Sequence, residues 1–360
     1  MKKFVIHLGL TLGILLVVAE MFFRWVIPAP EIPAAYFDPT YQIMRNDAEG
    51  PRTGQYTNGR LSEIRAPWRL NEHGWNSAFD FVPKAGRSKP LVAVVGDSYV
   101  ENLYCAPESH LDYLIYEGLE QEMDVFGFGR RGGNFSNFVP MIDYVNQEFQ
   151  PDVYVFVVNH RNLRESIMEL GRKPNFMQVA WENQQWKTIP AKAYQPHPFK
   201  EMANSSAIVR YLRMNIPMEL AWPHLPPLFP QEEMAETPKP EVDQTAACLH
   251  LIQEMQQRAG NTPILFVLHP NRPSIYDGDV PVVQTEELQI VKESLQSMNL
   301  PVVDLNSAFK QAYERDQKLF EFEVNQHWNE YANEVAAGEI VRFLKLETRR
   351  LAEQNVRMAP

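Results

Sequence analysis

The chain has 360 residues, 45% hydrophobic and 22% charged, enough apolar material for one large globular domain or two smaller ones. It carries 34 Lys and Arg against 45 Asp and Glu, a formal charge of −11, which excludes the basic footprint of a nucleic-acid binder. Two cysteines, Cys105 and Cys248, are too few for a disulfide framework and lack the spacing of a zinc site. They form either one bridge or two buried thiols.

Lys2 and Lys3 precede an apolar run from Phe4 to Ala19, and after Glu20 the run resumes through Phe23 to Ile27. A helix over these residues, rising ~1.5 Å per residue, is long enough to cross a bilayer. Glu20 and Arg24 stand four apart, so they pair near the far interface, where Trp25 is an aromatic anchor. The leading lysines place the N-terminus in the cytoplasm and the rest outside. Val17-Val18-Ala19 also offers small residues for processing, so residues 1–27 read as a transmembrane anchor or a cleaved signal. Both readings export the domain, to the periplasm or the cell surface. Residues 28–40, PAPEIPAAYFDPT, read as a Pro-rich stalk, and 41–90 as an extension of short strands and turns.

Leu91 to Val95 is a continuous β-branched run, the pattern of a strand buried on both faces. Similar runs follow at 124–128, 153–158, 264–268 and 301–305. Helical patterns separate them, at 110–122, 244–258 and 285–298, and a last helix is expected over 328–346. Five such strands alternating with helices predict a doubly wound α/β sheet with helices on both faces, within a domain spanning 91–347. An insertion over 166–240 interrupts it, and residues 348–360 read as a polar tail. A connection this long is the kind that forms a lid or binding loop. Its second half is Pro-dense (Pro217, Pro223, Pro226, Pro227, Pro230, Pro238, Pro240). Its aromatics (Phe176, Trp181, Trp186, Tyr194, Trp222) serve either sugar stacking or local packing.

In an open α/β sheet ligands bind beyond the carboxyl ends of the strands. The first strand is followed there by Gly96-Asp97-Ser98-Tyr99, the second by Gly129-Arg130-Arg131-Gly132-Gly133-Asn134 and the third by Asn159-His160-Arg161-Asn162. Asn325-Gln326-His327-Trp328-Asn329 precedes the final helix. A serine hydroxyl needs a neighbouring imidazole to take its proton, and the resulting oxyanion needs preorganised N–H donors. Ser98, His327, the Gly132 N–H and the Asn162 amide fill those roles.

Gly127 to Gly132 also matches G-x-G-x-x-G, but after the second strand and without the acidic residue that ends the next strand in dinucleotide folds, so a nucleotide cofactor is rejected. Arg130 and Arg131 are either anion contacts or solvated side chains. His269, after the fourth strand, is a second candidate base.

The blocks GDSYVEN, GFGRRGGN, PDVYVFVVNHRN and HWNEYANEVAA resemble those of the SGNH (GDSL-like) hydrolase superfamily, the last being similar to branches that modify polysaccharides. The resemblance covers 91–165 and 262–346. It implies a flavodoxin-like sheet, metal-free and cofactor-free chemistry on ester-linked acyl groups, Ser98 as nucleophile, Gly132 and Asn162 as oxyanion donors, and His327 as base. The family usually carries an Asp two or three residues before the His, where this chain has Asn325 and Val324. Asn325 or Glu323 is then left to orient the imidazole. The Asn block reads Asn162-Leu163 in place of the family's Asn-Asp, which keeps Asn159 as a second oxyanion candidate. The expected function is an esterase removing acyl, chiefly acetyl, groups from a cell-envelope or exported polysaccharide. The alternatives are an O-acyltransferase on the same site and a non-catalytic glycan-binding relative. The expected partners are the acylated carbohydrate and the membrane, with no nucleic acid.

Overall fold

A computed structural model of the chain describes residues 2–194, 204–216, 242–277 and 286–358. The central sheet is built from β1 (Leu91–Gly96), β2 (Asp124–Gly129), β3 (Val153–Val158), β4 (Ile264–Leu268) and β5 (Val302–Asp304). Their order is β5-β4-β3-β1-β2 and every pairing is parallel. Chain order reverses beside β1, so the crevice at its carboxyl end lies at the topological switch point.

The apolar runs are continuous because each strand is covered twice. Leu91, Ala93, Val95, Phe126, Phe128 and Phe156 face one helical layer, made by α4 (Phe138–Glu148), α7 (Gln244–Ala259) and α8 (Glu286–Ser297). Val92, Val94, Val125, Val155 and Val267 face the other, made by α3 (Leu111–Gly118), α9 (Asn306–Asp316) and α10 (Glu330–Met358). Each fully buried side chain of this size stabilises the fold by ~1.5–3 kcal/mol, so the two-sided burial is the main organising force.

Several boundaries differ from expectation. The helix read over 110–122 stops at Gly118, because Glu120 and Gln121 adopt left-handed backbone and turn the chain into β2. Trp328 belongs to a hairpin, Glu321–Phe322 with Asn325–Trp328, and the last helix starts at Glu330. That helix continues to Met358, so the residues read as a polar tail are helical that far. The 41–90 segment forms the hairpin Thr53–Asn58/Ile64–Arg69, and Ile43–Asn46 pairs with Ala35–Asp38.

The Pro-rich residues 28–40 are not a free spacer. Ala29 is buried, the Thr57 and Ser62 hydroxyls donate to the Pro28 carbonyl, and the Trp68 indole donates to the Glu31 carbonyl. Prolines lack a donor but keep a carbonyl, and here the neighbouring hairpin saturates it. Cys105 and Cys248 are separate buried thiols, and burial pushes Cys248 up to about 12. Within the insertion, Gln178–Glu182 pairs with Gln185–Ile189, and α6 (Ala207–Met214) follows. Trp222 and the seven prolines from Pro217 to Pro240 lie outside the described residues.

The one long apolar helix among the described residues is α1 (Lys2–Trp25), with mean hydropathy 2.2 and no buried residue. By length and composition it can cross a membrane.

Candidate active site

β1 ends in Gly96, and the chain turns at Asp97 into the short helix α2 (Ser98–Glu101). Asp97 caps this helix: its Oδ1 accepts from the Tyr99 N–H at 3.1 Å, as an N-cap carboxylate should. The cap leaves Ser98 at the first helical position, at the carboxyl edge of the sheet. β2 passes close behind. A Cβ on Gly129 would stand 1.9 Å from the Glu101 nitrogen, so only glycine lets the second strand run against α2.

His327 reaches Ser98 from the hairpin before α10. Its Nε2 lies 2.9 Å from Ser98 Oγ, and its Nδ1 lies 2.7 Å from Asn325 Oδ1. Asn325 Oδ1 also accepts from the His327 backbone N–H at 2.9 Å. A carbonyl oxygen cannot donate, so Nδ1 carries the proton and Nε2 presents its lone pair to the serine hydroxyl. The Asn325 amide nitrogen donates to Asn58 Oδ1 at 3.3 Å, which fixes the direction of that amide. Tyr104 stacks on the imidazole, centroids 3.9 Å apart and planes 17° apart. Of the two expected orienters, Asn325 is the one within hydrogen-bond distance of Nδ1. Glu323 is exposed and makes no hydrogen bond to His327.

The imidazole is held neutral. Burial, then the nearby Arg272 guanidinium, bring His327 down to about 4, against a smaller opposing effect of Glu101. Arg272 is itself fixed by Glu321 Oε2 at 2.7 Å and the Gln326 carbonyl at 2.6 Å. His269 is buried, stacked on Trp328 at 4.5 Å with Tyr99 edge-on at 4.3 Å, and its Nδ1 donates to the Pro270 carbonyl. It makes no bond to Ser98, so it packs the floor beneath the hairpin.

The Gly turn lies beside Asp97. Gly132 has φ +77°, a conformation glycine adopts freely, and a Cβ on Gly133 would stand 3.7 Å from Asp97 Cβ. Neither the Ser98 N–H nor the Gly132 N–H has a hydrogen-bond partner among the described residues. Lys173 and Phe176, from the insertion, close over this turn. Lys173 Nζ donates to the Gly132 carbonyl at 2.9 Å, and the Phe176 ring would lie 3.6 Å from a Gly132 Cβ.

Asn162 departs from its expected role. Its amide nitrogen donates to Asp97 Oδ2 at 3.1 Å and to the Gly133 carbonyl at 3.2 Å, while its Oδ1 accepts the Asn159 N–H at 2.7 Å. Both amide hydrogens are spent inside the protein, and the residue is fully buried. The cause is local: α5 (Asn162–Ser166) begins at this residue and turns its side chain back under β1. Asn159, directly after β3, donates one amide hydrogen to Asp97 Oδ2, and the other has no partner among the described residues. Burial raises the Asp97 carboxyl to about 6, even though the Tyr99 N–H and the Asn162 amide favour its charged form.

Arg130 is buried and Arg131 half-buried, and both are paired with Glu101. Arg131 Nη1 and its backbone N–H bind the two Glu101 oxygens at 2.5 and 2.6 Å. Buried Arg130 bonds Asn46 Oδ1 at 2.5 Å and Glu101 Oε1 at 3.4 Å. This cluster bolts the N-terminal extension to the Ser and Gly turns. It escaped sequence reading, although Glu101 lies three residues after Ser98 on the same short helix.

The family model described as "SGNH hydrolase-like domain, acetyltransferase AlgX" matches residues 227–360, the part of the chain that carries Asn325 and His327. The C-terminal part of the chain is therefore similar to an SGNH hydrolase-like domain. No curated protein sequence matches the chain. Similar solved structures include a lipase/acylhydrolase from Enterococcus faecalis, 17% identical, with 72% of this chain and 96% of that one covered at a TM-score of 0.40. A lipolytic G-D-S-L family protein from Veillonella parvula is 12% identical over 70% and 96%, TM-score 0.38. A two-domain esterase active on acetylated mannans is 12% identical over 73% and 50%, TM-score 0.39. β4 and β5 lie inside the family match, whereas β1, β2, β3 and the Ser98 turn precede it.

Proposed function

We propose that the chain is a membrane-anchored, extracytoplasmic enzyme that handles O-acyl groups, chiefly acetyl, of an exported or cell-envelope polysaccharide. The observation that carries this reading is the Ser98 Oγ–His327 Nε2 contact of 2.9 Å, with Nδ1 turned to Asn325. Ser98 Oγ attacks the ester carbonyl as its proton passes to His327 Nε2. The oxyanion is met by the N–H groups of Ser98 and Gly132 and by the free Asn159 amide hydrogen. The acyl carbon–sugar oxygen bond then breaks, and the proton on Nε2 goes to the departing hydroxyl. Water, deprotonated by the same imidazole, releases the acyl group and frees Ser98.

A second reading keeps the acyl enzyme and passes the group to another sugar hydroxyl; the description of the matched family as an acetyltransferase supports it. The test is product analysis with acetylated glycan, with and without an unacetylated acceptor. Free acetate in both conditions supports hydrolysis, acetylated acceptor supports transfer, and neither product from folded protein removes the enzymatic reading.

The imidazole works as a base only when neutral. Because its pKa is lowered, activity should persist into acid and fall as pH drops through about 4, where an ordinary histidine would lose it near ~6.5. Asn325→Asp supplies a carboxylate that favours the imidazolium and should move the acid limb of kcat/KM upward by at least about one pH unit. A wild-type limb near that of free imidazole would contradict the lowered pKa of His327, and a limb unchanged in Asn325→Asp would remove Asn325 as the residue that orients it.

A further inference from the structure

The outer end of α1 is built into the domain. Glu20 accepts from Ser206 Oγ at 2.9 Å and from the first N–H groups of α6, Ala207 at 2.8 Å and Ile208 at 3.2 Å. Arg24 pairs with Glu20 at 2.6 Å and donates to the Ser205 carbonyl at 3.1 Å. Phe23 stacks on Tyr211 at 4.1 Å, and the Tyr211 hydroxyl continues to the Arg60 carbonyl in the hairpin tip. Ala29, Ala207 and Tyr211 are buried together in this seam, with Phe23, Ile27 and Ile216 packed against them.

With that seam buried, the opposite side of the same elements is apolar and open. Val209 and Leu212, three apart on α6, are exposed, Leu212 by 40%. Leu61 on the hairpin tip is 66% exposed and Trp25 is 71% exposed. Arg60 and Arg213 are exposed among them, and the Arg24 side chain is 43% exposed. An apolar face with arginines and a tryptophan at the end of a bilayer-length helix has the chemistry of the headgroup boundary: side chains enter the acyl edge and guanidinium groups meet lipid phosphates.

We propose that the end of α1, α6 and the hairpin tip form one rigid platform seated in the outer headgroup layer, fixing the orientation of the SGNH domain on the bilayer. The proposal rests on the membrane-anchored reading above and adds a lipid-binding surface outside α1. The occupant is the lipid surface, because this face is continuous with the exposed apolar residues of α1 and carries cations.

The experiment uses the full chain reconstituted in phosphatidylcholine–phosphatidylglycerol vesicles, with single cysteines labelled by an environment-sensitive fluorophore. The native thiols are buried, so labelling is selective. Labels at Leu61→Cys and Leu212→Cys report the platform, Val17→Cys reports the span, and Leu319→Cys reports an exposed residue beside the active-site hairpin. Lipids brominated near the headgroup should quench Leu61 and Leu212, and lipids brominated along the acyl chain should quench Val17, each by at least about twofold, and both should leave Leu319 unquenched. Quenching at Val17 alone overturns the platform and leaves the anchor standing. No quenching at Val17 overturns both. Disulfide cross-linking between Leu212→Cys copies, without quenching, assigns the face to a second copy of the chain and overturns the lipid assignment.

Discussion

Ser98→Ala is expected to lower kcat/KM for p-nitrophenyl acetate by at least about a thousandfold, with His327→Ala close behind. The two groups act through one contact of 2.9 Å, so the double variant should lose little more than the worse single one. A serine without its base is an alcohol of ordinary reactivity, and a base without the serine has only water to activate. The weakness of this pair lies in the second half of the proton transfer. Asn325 orients the imidazole but brings no charge, and Arg272 opposes the imidazolium. Slow turnover by the wild type is therefore part of the account, and the ratio between variants is what counts. If His327→Ala keeps more than about a tenth of the activity, another base serves Ser98.

Glu101→Ala is expected to destabilise the protein by about 3–5 kcal/mol, because removing one member of a buried ionic cluster leaves its partners unpaired. The Glu101 side chain is 1% exposed and that of Arg130 is 6% exposed, so solvent cannot replace the lost carboxylate. Burial lowers Arg130 only to about 10, so it stays charged at any pH where the protein is assayed. For a domain of this size the loss corresponds to a fall in Tm of roughly 10 °C. Thermal unfolding of the full chain in detergent measures it, and Glu101→Gln, whose one amide oxygen keeps the Oε1 bonds but loses the Arg131 N–H bond, should fall between the two. A Tm within about 2 °C of wild type in Glu101→Ala would mean that the cluster does not hold the extension to the site.

The sheet was legible because its central strands are buried on both faces, so Leu91–Val95, Val153–Val158 and Ile264–Leu268 stand out as unbroken apolar runs. The turns after β1 and β2 were legible for the same reason, since the strand ends locate them. The division of labour among the asparagines was not. Asn159 and Asn162 both follow β3, and only the start of α5 decides that the second turns inward to Asp97. Glu323 and Asn325 were likewise equivalent candidates on paper, until the register of the final hairpin set Asn325 beneath the imidazole and left Glu323 in solvent. The role of Arg130 and Arg131 stayed open between anion contact and solvation because their partner, Glu101, comes about thirty residues earlier and meets them only through the fold. The Pro-rich 28–40 segment has the composition of a spacer, and its packing depends on the hydroxyls of Thr57 and Ser62, which no local pattern announces.

The central claim is that Ser98 is a nucleophile activated by His327. Peptide mass mapping of the full chain after reaction with a serine-directed phosphonate tests it most directly. The account predicts modification of the peptide holding Ser98 in the wild type, slow modification in His327→Ala and none in Ser98→Ala. A folded wild type that stays unmodified at Ser98, or reacts no faster than His327→Ala, would contradict it.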